Sequence, residues 1–268
     1  MQFPILSGIY TDANFDFRTA LPVNMEPIPK VTGISEGYLR TAEGIDVFQA
    51  TIPGIDRGGI NWNNVCYRVL GSKLCKVDDD GLITELGDVT SDNQPVSMSY
   101  GFTYLAIASA GNLYVYDGST LQQNTDPDLG VALDVQWIDG YFMTTDGDNL
   151  VVTELGNPLS VNPLKYGSSE VDPDPIKSVV RLNNEVYAVN RHTIEAFDNI
   201  GGQFFPFQVI SGTQIYRGAV GTHCAAVFMG GIAFLGSGTN EEISVHVYGG
   251  GASIKIGTRE VDQIPGGS

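Results

Sequence analysis

From about residue 60 to residue 256 the chain alternates short apolar runs with polar or glycine-rich turns, and the period is that of strands rather than helices. Runs opening at Asn64, Gly101, Asp139, Asn184 and Gly230 each combine a polar or glycine turn with a short aromatic or β-branched strand. A second strand follows each after a small polar turn, at 73–77, 112–116, 149–153, 193–197 and 243–247. Further strands read at 81–86 and 253–256 behind such pairs, and at 131–138 and 177–182 ahead of them. The opening positions lie 37, 38, 45 and 46 residues apart. Four short antiparallel strands per unit at this spacing predict an all-β, β-propeller-like body of five or more four-stranded blades over residues 61–264. One such sheet leaves a face uncovered, so successive sheets stack around an axis. A β-sandwich or a string of hairpins is the alternative. The segment 57–62 is a candidate closing strand beside the last unit.

Residues 1–60 read differently. Pro4, Pro22, Pro27, Pro29 and Pro53 interrupt any long element, and residues 21–30 follow neither a helical nor a strand period. An extended, proline-punctuated arm docks with little ordering cost and covers a large surface. Leu21, Pro22, Val23, Met25, Tyr38, Leu39 and Arg40 are the expected assembly interface; the competing use is to cover an open edge of the propeller. Residues 265–268 read as a flexible tail. The nearly uncharged stretch 218–240 raises a membrane question, but its six glycines fit two buried strands around a Gly230-Gly231 turn, and no membrane insertion is expected.

Charge narrows the function classes. With 14 basic and 31 acidic residues the net charge is −17. Tight nucleic-acid binding needs a surplus of Lys and Arg to neutralise phosphates, and this chain has the opposite. An acidic wall can still stand near DNA without gripping it; the simpler role of the charge is solubility. The three cysteines, Cys66, Cys75 and Cys224, form neither a disulfide framework nor a zinc signature, in keeping with synthesis in a reducing cytoplasm. No signal peptide is visible.

The candidate chemistry is sparse. The acidic clusters 78–80, 126–128, 146–148 and 172–174 lack the spacing of a calcium loop and match hairpin-turn usage. A propeller glycosidase needs two convergent carboxylates; Glu85, Glu154 and Glu195 lie in different units, and Glu195, between Ile194 and Ala196, reads as an outward-facing strand residue. His192, His223 and His246 have no partner at ligand spacing, and Gly249-Gly250-Gly251 lacks the following helix of a phosphate cradle. No catalytic residue, metal or cofactor is expected. A carbohydrate-binding or carbohydrate-cleaving propeller is the alternative function, although Trp62 and Trp137 are the only tryptophans available for sugar stacking.

Several landmarks carry a family resemblance. Residues 21–30 and 37–45 resemble the N-terminal signature of the packaged-DNA stabilisation proteins of short-tailed phages. Arg57-Gly58-Gly59, residues 67–74, Thr193-Ile194-Glu195-Ala196-Phe197, residues 201–207, Ile215-Tyr216-Arg217-Gly218-Ala219-Val220, Phe234-Leu235-Gly236 and Arg259-Glu260-Val261 follow in family order. The resemblance implies a virion tail hub or nozzle protein on a propeller-like body, non-enzymatic and without cofactor. It implies a hexameric ring below the portal and its adaptor that helps retain packaged DNA, lines the ejection channel and supports the tail needle or fibres, close to DNA without specific binding.

Overall fold

A computed structural model describes residues 24–29, 37–44, 53–249, 251–257 and 262. The chain divides into two compact units, Met1–Phe48 and Gln49–Ser268.

In the first unit, Met25–Pro29 and Gly37–Thr41 pair as an antiparallel two-stranded ribbon, with Met25 opposite Thr41 and Ile28 opposite Tyr38. Residues 21–30 showed no strand period, yet part of that stretch is a strand. The ladder is made by the backbone, and it tolerates prolines where no paired N–H is required.

The second unit is built of five antiparallel sheets of consecutive strands. Blade 1 contains Asp56–Trp62, Val65–Leu70, Lys73–Val77 and Ile83–Asp88. Blade 2 contains Ser97–Tyr100, Leu105–Ser109, Asn112–Tyr116 and Leu121–Gln123. Blade 3 contains Asp134–Ile138, Tyr141–Thr145, Asn149–Glu154 and Asn157–Ser168, and blade 4 contains Ile176–Leu182, Glu185–Asn190, Ile194–Asn199 and Phe207–Val209. In blade 5, Gly218–Ala219 and Ala225–Phe228 share the first position beside Gly231–Ser237, followed by Ser244–Gly249 and Ala252–Lys255. The first strands of successive blades lie side by side from blade 1 to blade 5, as the innermost strands of a propeller do.

Alternation along the strands explains the stacking. In Leu105–Ser109, Leu105 and Ile107 join a core with Tyr67, Val69 and Leu74 of blade 1. Ala106 and Ala108, on the other face, join Val135 and Phe142 of blade 3. Blade 4 repeats this, with Val186 and Ala188 packed against blade 3, and Tyr187 and Val189 against Ile232 and Phe234 of blade 5. Each large apolar side chain buried this way stabilises the stack by roughly 1.5–3 kcal/mol. Blades 2 to 4 are therefore apolar on both faces, and their middle strands read as continuous apolar runs.

The turns follow from backbone chemistry. Asn63-Asn64 and Asp139-Gly140 hold positive φ at both positions, the geometry that suits two-residue hairpins. The hairpin in the uncharged stretch turns at Met229-Gly230, one residue before the expected Gly-Gly. Its first strand is interrupted at residues 220–224, and Ala226–Phe228 is exposed rather than buried. Among the described residues no helix is long and apolar enough to cross a membrane.

Two expectations are corrected. The strand Asp56–Trp62 joins blade 1 through pairing with Val65–Leu70, instead of standing beside the last unit, because the Asn63-Asn64 turn returns it directly onto its neighbour. Glu195 is 3% exposed, not outward-facing, since both faces of its strand are covered in the stack. Cys66 and Cys75 are not opposite each other; Cys66 faces Val77 and Cys75 faces Arg68, and all three thiols are free.

Candidate assembly surfaces

The expected interface residues fall on the first unit. Leu21, Pro22 and Val23 lie outside the described residues. On the ribbon, the register puts Met25 and Leu39 on one face and Tyr38 and Arg40 on the other. Met25 and Tyr38 are 46% and 49% exposed. Arg40 donates to Glu26 across the ribbon at 2.6 Å, which raises the pKa of its guanidinium. The ribbon thus offers an apolar pair on one side, and an aromatic ring beside an ion pair on the other.

The second unit surrounds an axial cavity of about 470 Å³ lined by first-strand residues of all five blades, among them Gly58, Ser97, Gln136, Ser178 and Ala226. Its wall is held by Asp134. One carboxylate oxygen accepts from the hydroxyl of Ser97 on blade 2 and from Val135 N at 2.8 Å. The other accepts from Ser178 Oγ at 2.6 Å and Val179 N at 2.8 Å on blade 4. A 4% exposed carboxylate with four donors is a structural buckle between three blades, with little capacity left for a ligand. No sequence pattern marked Asp134; a lone acid opening a strand looks like any turn residue.

Arg57 plays a comparable part between blades 1 and 2. Its side chain is wholly buried. It donates to the carbonyls of Gln94 (2.6 Å), Gly71 (3.1 Å) and Thr90 (3.1 Å) and to Asp92 Oδ1 (2.8 Å). The planar fork satisfies backbone carbonyls in several directions at once, which an ammonium does less well.

Aromatic and cationic contacts run from blade to blade at one end of the axis. Trp62 donates from Nε1 to Gly101 O at 3.1 Å. Phe102 meets Trp137 edge-on at 5.4 Å, and the Arg181 guanidinium lies 5.0 Å from the Trp137 ring. A side chain at Gly101 would strike Trp137, since a Cβ there would lie 2.5 Å from Nε1, so glycine is required. Trp62 is 5% exposed, and Trp137 already has Phe102 and Arg181 against it; neither offers an open stacking platform for a sugar.

The remaining acids have local duties. Glu85 pairs with Lys73 at 3.6 Å, Glu154 with Lys165 at 2.7 Å, and Glu195 accepts from Ser169 Oγ at 2.5 Å. These three carboxylates sit on three blades and do not converge. Asp146 accepts from the N–H groups of Asp148 and Asn149, as turn residues do, whereas Asp174 ties its loop to a second one by accepting from His192 N and Thr193 Oγ1, 18 and 19 residues on. Among the described residues no group of three or more His, Cys, Asp or Glu is placed to hold a metal ion. His246 is 2% exposed and stacked on Phe234 at 5.4 Å, and burial lowers its pKa. Arg217 grips Glu241 with two nitrogens, at 2.7 and 3.0 Å, and this hydrogen bonding takes the Glu241 carboxyl down to about 2. Desolvation lifts the Cys75 thiol to about 11, so it stays protonated at neutral pH.

Radially stacked four-stranded sheets around an axial cavity define a β-propeller. The chain belongs to the family described as bacteriophage P22 Gp10, beta-propeller, whose model matches residues 1–266. It is 30% identical to the tail hub protein gp10 of Salmonella phage P22, over 98% of this chain and 58% of the relative; the chain thus spans little more than half of that protein's length. Among solved structures, a streptogramin B lyase aligns at a TM-score of 0.54 with 11% identity, covering 79% of this chain and 72% of that one, a likeness of fold alone. The computationally designed Ika8 protein aligns at 0.47 with 15% identity over 88% of this chain and 71% of its own.

Proposed function

We propose that this chain is a structural, non-enzymatic component of a phage tail hub, located in the virion tail. In this reading copies assemble as a ring below the portal and its adaptor, with the ribbon residues Met25, Tyr38, Leu39 and Arg40, together with Leu21, Pro22 and Val23, contacting a neighbouring subunit or the adaptor. The ring helps retain packaged DNA, forms part of the ejection channel and supports the needle or fibres. The observation that carries the reading is the family match over residues 1–266 together with the identity to a tail hub protein. The fold supports it physically: inter-blade cores and the Asp134 and Arg57 ties make a stiff wedge, and stiffness is what a ring component needs. The net charge of −17 suits a wall that DNA passes without adhering.

Electron microscopy of the purified chain mixed with portal–adaptor complex tests the proposal. A ring of added density on the tail side of the adaptor is expected. A chain that stays monomeric and leaves the complex undecorated overturns it.

A further inference from the structure

The polar groups around the axial cavity fall into two sets. Asp134, Arg181 and His223 are the titratable residues of its wall. Asp134 has its four donors, and the hydroxyls of Ser97 and Ser178 are committed to it. Ser178 stands three residues before Arg181 on the same strand, which separates the anchored acid from the guanidinium by roughly 10 Å along the axis. Arg181 is half-buried and held in place from two sides. Its guanidinium lies 5.0 Å from the Trp137 ring, Nε donates to Asn183 O at 3.1 Å, and Nη1 donates to Trp137 O at 3.4 Å. One hydrogen on Nη1 and both on Nη2 remain open. Among the described residues no carboxylate pairs with Arg181, although acids outnumber bases 31 to 14 in the chain. Gln136 on blade 3 and Thr222 between the two inner strands of blade 5 also line the cavity and are half-buried. Their side chains make no hydrogen bond among the described residues. Half-buried polar groups ordinarily find partners within the protein. Here three of them, from three blades, face one cavity of small-molecule size.

We propose that the axial cavity binds a small organic carboxylate, gripped by the Nη1–Nη2 edge of Arg181, with Gln136 and Thr222 hydrogen-bonding to a hydroxyl or other polar group on the same molecule. The planar fork matches a carboxylate with two parallel N–H donors. Stacking on Trp137 fixes the long side chain beforehand, so little freedom is lost when the ligand arrives. A phosphate dianion is the poorer fit: Arg181 is the only fixed positive charge of the wall, and the chain as a whole carries −17. A single carboxylate balances that one cation. Asp134 does not compete for the guanidinium, since its own oxygens are already engaged and lie toward the opposite end of the axis. The site lies within one propeller, so it stands whether or not copies of the chain form a ring.

Titration of the full chain with L-malate, followed by calorimetry and by the indole N–H resonance of Trp137, tests it. Saturable binding with a dissociation constant of about 1 mM or tighter is expected, together with a shift of that resonance. Arg181→Met keeps an unbranched side chain over Trp137 without the charge, and should weaken binding about tenfold or more. Gln136→Ala should weaken it about threefold. Because the Gln136 amide holds nothing else in the protein, this variant keeps the melting temperature of the parent and decides the matter even where Arg181→Met unfolds. Arg191→Gln removes a cation of blade 4 that lies outside the cavity wall, and should leave binding intact. A capped Gly-Asp-Gly peptide forms the second arm: if it binds through Arg181 and Gln136 where malate does not, the carboxylate is one borne on a protein chain, and the site stands. Absence of saturable binding by both malate and the peptide overturns the proposal, as does binding that survives both Arg181→Met and Gln136→Ala. Tighter binding of inorganic phosphate than of either carboxylate also overturns it.

Discussion

Asp134 accepts a hydrogen bond from the hydroxyl of Ser178 at 2.6 Å, joining the inner strands of blades 3 and 4 beside the axis. The same carboxylate reaches Ser97 on blade 2, so its loss strands donors on both sides. Asp134→Ala should cost about 3 kcal/mol or more in urea unfolding, from several buried groups left unsatisfied. Combining Ser97→Ala with Ser178→Ala should be much milder than Asp134→Ala. Equal costs would show that the backbone donors Val135 and Val179 contribute nothing.

Arg57 gives a second test. Arg57→Ala should destabilise by roughly 2–4 kcal/mol, because three backbone carbonyls lose a charged donor, whereas Asp92, 43% exposed, stays hydrated. Arg57→Lys should recover less than half of that, because three of the four acceptors are carbonyls spread around a planar fork. Complete rescue by lysine, read from denaturation midpoints, would contradict the geometry.

Acid should weaken the domain in two stages. His246 has its pKa lowered in the folded state, mainly by burial, so the unfolded chain takes up that proton first. Its contribution is complete above the unfolded value of about 6.5 and declines as pH falls below it. Glu241 is held at about 2 against an ordinary 4.5, so its contribution is present above 4.5 and lost as pH falls toward 2. Because its side chain is 42% exposed, solvent screening limits that share to about 1 kcal/mol at most. Thermal melts should show His246→Gln flattening the decline between about pH 7 and 5, and Glu241→Gln flattening the one below about pH 5.

Tyr38 and Arg40 separate assembly from folding. Tyr38→Ala combined with Arg40→Ala should abolish ring formation in size-exclusion chromatography with unchanged melting of the monomer. A drop in monomer melting temperature would instead assign the pair to covering the chain's own structure. The ribbon ion pair is exposed on both sides and screened by solvent, so its loss alone should leave the melting temperature nearly unchanged.

Much of the propeller could be read from the chain. The strands Lys73–Val77 and Asn112–Tyr116 coincide with the expected 73–77 and 112–116, because short apolar runs between turn residues leave few alternatives. What could not be read depends on neighbours distant in sequence. Glu195 looks outward by alternation, yet a sheet covered on both faces has no outward side, and Ser169 meets its carboxylate. Asp134 looks like a turn acid until Ser97 and Ser178, 37 and 44 residues away, close on it. The strand Asp56–Trp62 was misplaced for a related reason: its apolar content suits any blade, and the local Asn63-Asn64 hairpin decides which. On the ribbon, the sequence nominated Met25, Tyr38, Leu39 and Arg40, but only the pairing register shows that they divide between two faces.

Every blade is assembled from strands adjacent in sequence, and Arg57 finds its farthest acceptor only 37 residues downstream, at Gln94. During synthesis the ribosome can therefore release finished sheets one after another, each offering a ready template to the next, without waiting for a distant segment to return. Such an order of birth keeps sticky half-built intermediates brief.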